Sequence, residues 1–141
     1  MRKIKFRVFD KAVKKMHIVG EDIHDSLTCF DGIVKYYNLQ NGEGSGDDGD
    51  YVLMKYTGLH DNNGIEIYEG DIIVFGIGGF MLTKYEVKMV NGCFVVECIP
   101  DCVDDHVFGN CHLLYDIGFE TRDIVEVIGN IYENPELLEE K

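Results

Sequence analysis

At 141 residues, with 13 Lys and Arg against 26 Asp and Glu and a formal net charge of −13, the chain can bury about two-thirds of its unfolded surface and would pay a penalty approaching a phosphate backbone. No apolar run reaches the length of a bilayer span, and charges interrupt the apolar residues of Met1-Arg2-Lys3-Ile4-Lys5-Phe6-Arg7, so neither a membrane segment nor a signal peptide is read. That points to the cytoplasm, and five cysteines, an odd number without an export signal, favour reduced thiols over disulfide pairing.

In chain order, Lys3-Ile4-Lys5-Phe6-Arg7-Val8-Phe9 alternates charged and apolar residues over a strand length, and Lys14-Lys15-Met16-His17-Ile18-Val19 follows across a short polar turn. The pair predicts an N-terminal hairpin with one dry face of Ile4, Phe6, Val8, Met16 and Ile18. Ile33-Val34-Lys35-Tyr36-Tyr37 predicts a further strand. Residues 41–50 contain no hydrophobic residue and predict a mobile, acidic, Gly-rich loop.

Tyr51-Val52-Leu53-Met54-Lys55-Tyr56 restarts the sheet. Asp61-Asn62-Asn63-Gly64 then supplies residues that tolerate positive φ, between β-branched pairs spaced two apart at Ile65/Ile67 and Ile72/Val74. A long strand from Phe80 to Val90 runs into Asn91-Gly92, the strongest hairpin signal in the chain, which predicts a type I′ turn into Cys93 to Ile99. Pro100 ends that strand and residues 101–110 form an acidic connection. Residues 111–119 suit a strand or a short helix, and residues 123–132 are rich in β-branched side chains. Asn134-Pro135 reads as an N-cap with proline at the first helical position, so the chain closes in about one helical turn.

Many short strands, Gly-rich turns and no helix-length periodic segment predict a mainly β domain over residues 1–141, a small barrel or roll, or two very small units sharing a core. Gly58, Gly64, Gly70 and Gly129 read as backbone devices at turns or bulges, and Asp71 as a turn cap.

Four blocks of this chain resemble the YopX family of phage and prophage proteins. They are Ile4-Lys5-Phe6-Arg7-Val8-Phe9-Asp10 with Lys14-Lys15-Met16, Lys55-Tyr56-Thr57-Gly58-Leu59, Asn63-Gly64-Ile65-Glu66-Ile67-Tyr68-Glu69-Gly70-Asp71-Ile72, and Val127-Ile128-Gly129-Asn130-Ile131-Tyr132-Glu133-Asn134-Pro135. Their order and spacing fit along the whole chain; residues 20–50 and 98–122 match only loosely. The resemblance implies an SH3-like β-barrel fold and a phage or prophage origin. It implies no activity, and it carries over no catalytic or cofactor-binding residue.

Candidate chemistries are few. Cys98, Cys102, His106, Cys111 and His112 are soft ligands of the kind zinc takes, but they lack the C-x2-C knuckle of structural sites, so no metal or other cofactor is read. Gly76-Ile77-Gly78-Gly79 lacks the Gly-Lys-Ser/Thr of a phosphate loop, and Glu43, Asp47, Asp48 and Asp50 lack EF-hand spacing. Cys111 and His112 are adjacent, so on a strand they point to opposite faces and cannot form a nucleophile–base pair.

Charge is uneven: residues 1–16 hold seven Lys and Arg and one Asp, so the remainder is strongly acidic. Lys3, Lys5, Phe6, Arg7, Lys14 and Lys15 form the candidate partner surface. The favoured reading is a non-enzymatic protein-binding or assembly module, whose partner is a second copy or a host or phage protein. Single-stranded nucleic-acid binding through the same basic hairpin, with Phe6 and Phe9 interleaved, is the alternative, and the acidic body argues against it. A metal-dependent enzyme is the third class, and it would need stoichiometric zinc.

Overall fold

The computed structural model describes residues 4–40, 42, 51–77, 80–99, 111–113 and 123–138. The chain is mainly β: the described residues form strands β1 (Phe6–Asp10), β2 (Lys15–Ile18), β3 (Asp25–Phe30), β4 (Ile33–Asn38), β5 (Tyr51–His60), β6 (Glu66–Tyr68), β7 (Asp71–Ile77), β8 (Phe80–Val90), β9 (Cys93–Ile99), β10 (Cys111–Leu113) and β11 (Asp123–Asn130), with one 3-10 turn, Pro135–Leu138. The acidic loop expected over 41–50 lies outside the described residues except for Gly42, as does the connection expected over 101–110.

The chain divides into two compact units, 1–56 and 57–141. In the first, β1 lies between β2 and the start of β5, antiparallel to both, with Val8 opposite His17 on one side and Leu53 on the other. The β1–β2 connection is closed by Asp10, whose Oδ1 accepts hydrogen bonds from Ala12 N and Val13 N. β3 and β4 form a separate two-stranded sheet. Its turn, Asp31-Gly32, has both residues at positive φ (55° and 81°), the type I′ geometry that matches strand twist. A small core of Val8, Tyr36 and Tyr51, flanked by Val19, Leu27, Val34 and Leu53, joins this hairpin to the first.

The second unit is built on the antiparallel sheet β10-β9-β8-β7-β11. One face carries Ile73, Tyr85, Val87, Val96, Cys98 and Val125, which pack with Ile67 of β6 into the larger core. Asn91-Gly92 joins β8 to β9 with φ of 51° and 82°, the type I′ turn the sequence predicts. β11 bulges between Val127 and Gly129 where it pairs with β7.

Two expectations change. The N-terminal hairpin has no wet face along β1, because Arg7, Val8, Phe9 and Asp10 are all buried. Cys98 is disulfide-bonded, so the expectation of five reduced thiols fails there. An odd cysteine count says nothing about which sulfurs the fold brings together.

Candidate interaction surface

The predicted basic patch is only partly presented to solvent. Lys14 and Lys15 are exposed, Lys5 and Phe6 are half-buried, and Lys3 lies outside the described residues. Lys5 places its Nζ 5.9 Å from the centre of the Tyr56 ring, a cation–π contact. Arg7 is only 7% exposed and donates from Nε to Met54 Sδ at 3.3 Å. Alternation along β1 turns Arg7 away from Val8, and that side is buried as well. The hairpin's Val8 is covered within the first unit by Tyr36 and Tyr51.

Buried carboxylates are engaged with the backbone. Asp61 Oδ1 accepts from Asn63 N and Ile65 N at 2.8 Å, and its Oδ2 accepts from Val127 N at 2.9 Å. One side chain thus closes its own turn and ties that turn to β11; Asn62 completes the tie, donating from N to Val125 O and accepting from Val125 N. Asp71 Oδ2 accepts from Tyr68 N at 2.8 Å, the cap the sequence predicts. Asn130 Oδ1 accepts from Tyr132 N and Glu133 N, and Asn134 Oδ1 reaches back to Asn130 N at 3.1 Å. Asn134 therefore braces the preceding loop with its side chain while its backbone carbonyl accepts from Leu137 N, at the start of the turn that Pro135 opens as the sequence predicts. A Cβ on Gly129 would lie 2.6 Å from that Asn134 oxygen, which accounts for glycine there.

The third group is in the first unit. Tyr36 donates from its hydroxyl to Asp25 Oδ1 at 2.7 Å, Asn38 Nδ2 donates to the same oxygen at 3.0 Å, and Gly20 N donates to Oδ2 at 3.0 Å. Burial pushes the Asp25 carboxyl up, but the hydrogen bonds from Asn38, Tyr36 and the Gly20 N–H outweigh it and hold the group below the usual carboxylate range. His17 stacks on the other side of this network, its ring centroid 4.4 Å from that of Tyr36. The network fixes the base of the β3–β4 hairpin.

With its base fixed, the hairpin presents two unlike faces. Register pairs Asp25 with Asn38, Leu27 with Tyr36 and Cys29 with Val34 on the inner face. Ser26/Tyr37, Thr28/Lys35 and Phe30/Ile33 make the outer one. There Phe30 is 76% exposed, Ile33 56% and Tyr37 40%, large apolar side chains with Thr28 and Lys35 standing between the Phe30/Ile33 pair and Tyr37.

The second unit offers a charged face. Glu86 and Glu97 are directly opposite on β8 and β9, with Lys88 Nζ on Glu97 Oε1 at 2.5 Å. Burial raises the Glu86 carboxyl, which Lys88 partly offsets and Glu97 reinforces. No group of three or more His, Cys, Asp or Glu arranged to hold a metal occurs among the described residues. Cys102 and His106 lie outside them, and Cys98, as a disulfide, is not a thiolate ligand in this state.

The protein-family model for "YopX protein" matches residues 5–139. The chain belongs to the YopX family. Among solved structures, it is similar to protein yopX from Bacillus subtilis, at 25% identity and a TM-score of 0.66, covering 99% of this chain and 100% of that one. It is also similar to protein EF1440 from Enterococcus faecalis, at 28% identity and a TM-score of 0.59, with the same coverage. No curated protein matches it. Among the described residues no helix is long and apolar enough to cross a membrane.

Within this YopX chain, the blocks that carry the family resemblance are the ones that hold backbone in place: Gly58, Gly64 and Gly70 at positive φ, Asp71 as a cap, Gly129 at the bulge. The exposed apolar side chains lie elsewhere, on a hairpin whose first strand, β3, sequence reasoning missed. The signal was present. Asp31-Gly32 is a hairpin dipeptide, and Ser26-Leu27-Thr28-Cys29-Phe30 before it is a short β-prone run.

Proposed function

We propose that this YopX-family chain is a non-enzymatic protein-binding or assembly module of phage or prophage type, acting in the host cytoplasm through the outer face of the β3–β4 hairpin. One observation carries the reading: Phe30, Ile33 and Tyr37 stand exposed on one face of a hairpin whose opposite face is anchored in a core. Exposed aromatic and aliphatic side chains on a rigid support are what protein interfaces bury at their centres. The engagement of Asp10, Asp25, Asp61 and Asp71 with backbone N–H groups supports a scaffold role for carboxylates that a catalytic site would keep for substrate. Burial of Arg7 weakens the single-strand nucleic-acid alternative, because it removes one cation from the basic hairpin's surface.

The test is a pair of variants, Phe30→Asp and Ile33→Asp, compared with the parent chain for partners retained from host or phage lysate. Both should keep the parent's circular dichroism and melting, because neither side chain is in the core, and both should lose the protein partner. Partners retained undiminished by both variants, or removed only by nuclease, would reject the reading.

A further inference from the structure

In an antiparallel hairpin closed by a two-residue turn, the closing pair exchanges both backbone hydrogen bonds and bonded pairs recur every second residue. Here the closing pair is Phe30/Ile33, so Thr28/Lys35 and Ser26/Tyr37 are also bonded, and Leu39 N donating to His24 O at 2.9 Å continues the same parity. The backbone N–H and C=O of Leu27 and Cys29 therefore point away from β4. Among the described residues β3 has no second neighbouring strand, and Ser26, Thr28, Cys29 and Phe30 are exposed. Exposed edges are normally guarded by charge, lysine above all. β4 has Lys35; between Asp25 and Asp31, β3 has no charged residue at all.

From this edge we infer that β3 pairs with β3 of a second copy of this chain across a two-fold axis, giving a four-stranded sheet in the order β4-β3-β3-β4. The inference rests on the reading of the chain as an assembly module and names the partner. Charge selects the occupant. On a chain of net charge −13, two copies repel least where neither presents charge, and Ser26 to Phe30 is an exposed uncharged strand of that kind. Symmetry selects the register. With Thr28 on the axis, Leu27 of each copy faces Cys29 of the other, so both outward N–H and C=O groups on each edge are satisfied, making four backbone hydrogen bonds. The outer faces merge: Ile33 and Phe30 of one copy continue into Ser26 and Tyr37 of the other, and the two Lys35 side chains stand three strand spacings apart, about 14 Å, beyond the Debye length in physiological salt. Like charges meet only at the ends, where Asp25 faces Asp31 of the second copy. Asp25 is already held by Tyr36, Asn38 and Gly20. The association should therefore tighten as salt rises, the reverse of an assembly driven by basic–acidic attraction.

Sedimentation velocity of the full chain across a concentration and salt series reads this directly. The expected result is a monomer–dimer equilibrium that shifts toward dimer with added salt. Cys29→Pro removes only an outward-facing N–H, so it should give a monomer with the parent's circular dichroism, whereas Cys29→Ser should remain dimeric. As a check independent of that variant's folding, Thr28→Cys in a Cys29→Ser background should form a covalent dimer on mild oxidation, because non-bonded cross-strand pairs hold Cβ atoms about 4.5–5.5 Å apart. A monomer at every concentration and salt, a dimer that Cys29→Pro leaves intact, or no cross-link through Thr28→Cys would overturn the inference. A monomer that still loses a different protein partner on Phe30→Asp would overturn this pairing alone and leave the binding-module reading standing.

Discussion

Tyr36 and Asp25 are joined by a 2.7 Å hydrogen bond at the base of the β3–β4 hairpin, and Tyr36 is at once a member of the first unit's core. One side chain thus couples apolar packing to the ionisation of a carboxylate. Because the folded Asp25 carboxyl lies below its unfolded value, it contributes stability that is fully present above about pH 4 and lost as pH falls through the lower folded value. Asp25→Asn should cost about 1–2 kcal/mol at neutral pH, because the Gly20 N–H or Asn38 amide would face an NH2 group. The difference from the parent should shrink on acidification. Melting midpoints from neutral pH to below pH 3 check it, and a difference independent of pH would reject the ionised network.

Glu86 has the opposite sign. Its carboxyl is raised by burial and by Glu97 opposite it, so the stability it contributes is present below the unfolded carboxylate value and lost as pH rises through the folded one. Glu86→Gln should raise the melting midpoint at neutral pH, and the gain should vanish in acid. A midpoint lowered at neutral pH would show that the Glu86 charge is favourable.

Gly92 and Gly129 are both glycine for different reasons, and one substitution separates them. Gly92 has φ of 82° and nothing within 4 Å of a built Cβ, so only backbone strain opposes a side chain. Gly129 has Asn134 and Leu137 within 3 Å of that position. Gly92→Asn should cost well under 1 kcal/mol because asparagine tolerates the left-handed region, and Gly92→Val should cost about 1–3 kcal/mol. Gly129→Asn and Gly129→Ala should both displace Asn134 and loosen the 3-10 turn. Chemical denaturation of the four variants checks this, and equal costs for Gly92→Asn and Gly129→Asn would contradict it.

Cys98 is disulfide-bonded, whereas Cys29 and Cys93 are free and exposed. Titration under denaturant without reductant should find fewer than the five thiols the composition allows, with Cys29 and Cys93 reacting first in the native chain. Five would show that Cys98 is reduced.

How far the sequence discloses this structure depends on range. Asn91-Gly92, the alternation of Phe80–Val90 and the run Cys93–Ile99 place β8 and β9 at the residues observed, because hairpin pairing is set by neighbours. The bulge glycine and the Asp71 cap are legible for the same reason. Asp61 reading Val127, the burial of Arg7 against Met54 and the bond at Cys98 join residues far apart in sequence, which no local pattern encodes. The candidate surface escaped for a third reason. Phe30, Ile33 and Tyr37 look like core by composition, and only the register shows that they face outward.

The central claim, protein binding through the outer hairpin face, is tested most directly by a photoreactive phenylalanine analogue at position 30, activated in the cells that make the chain. Covalent adducts to protein, a second copy of the chain or a host or phage protein, are predicted there and should be absent when the analogue replaces Phe94 beside the second core. Adducts to nucleic acid alone, or equal labelling from positions 30 and 94, would contradict it.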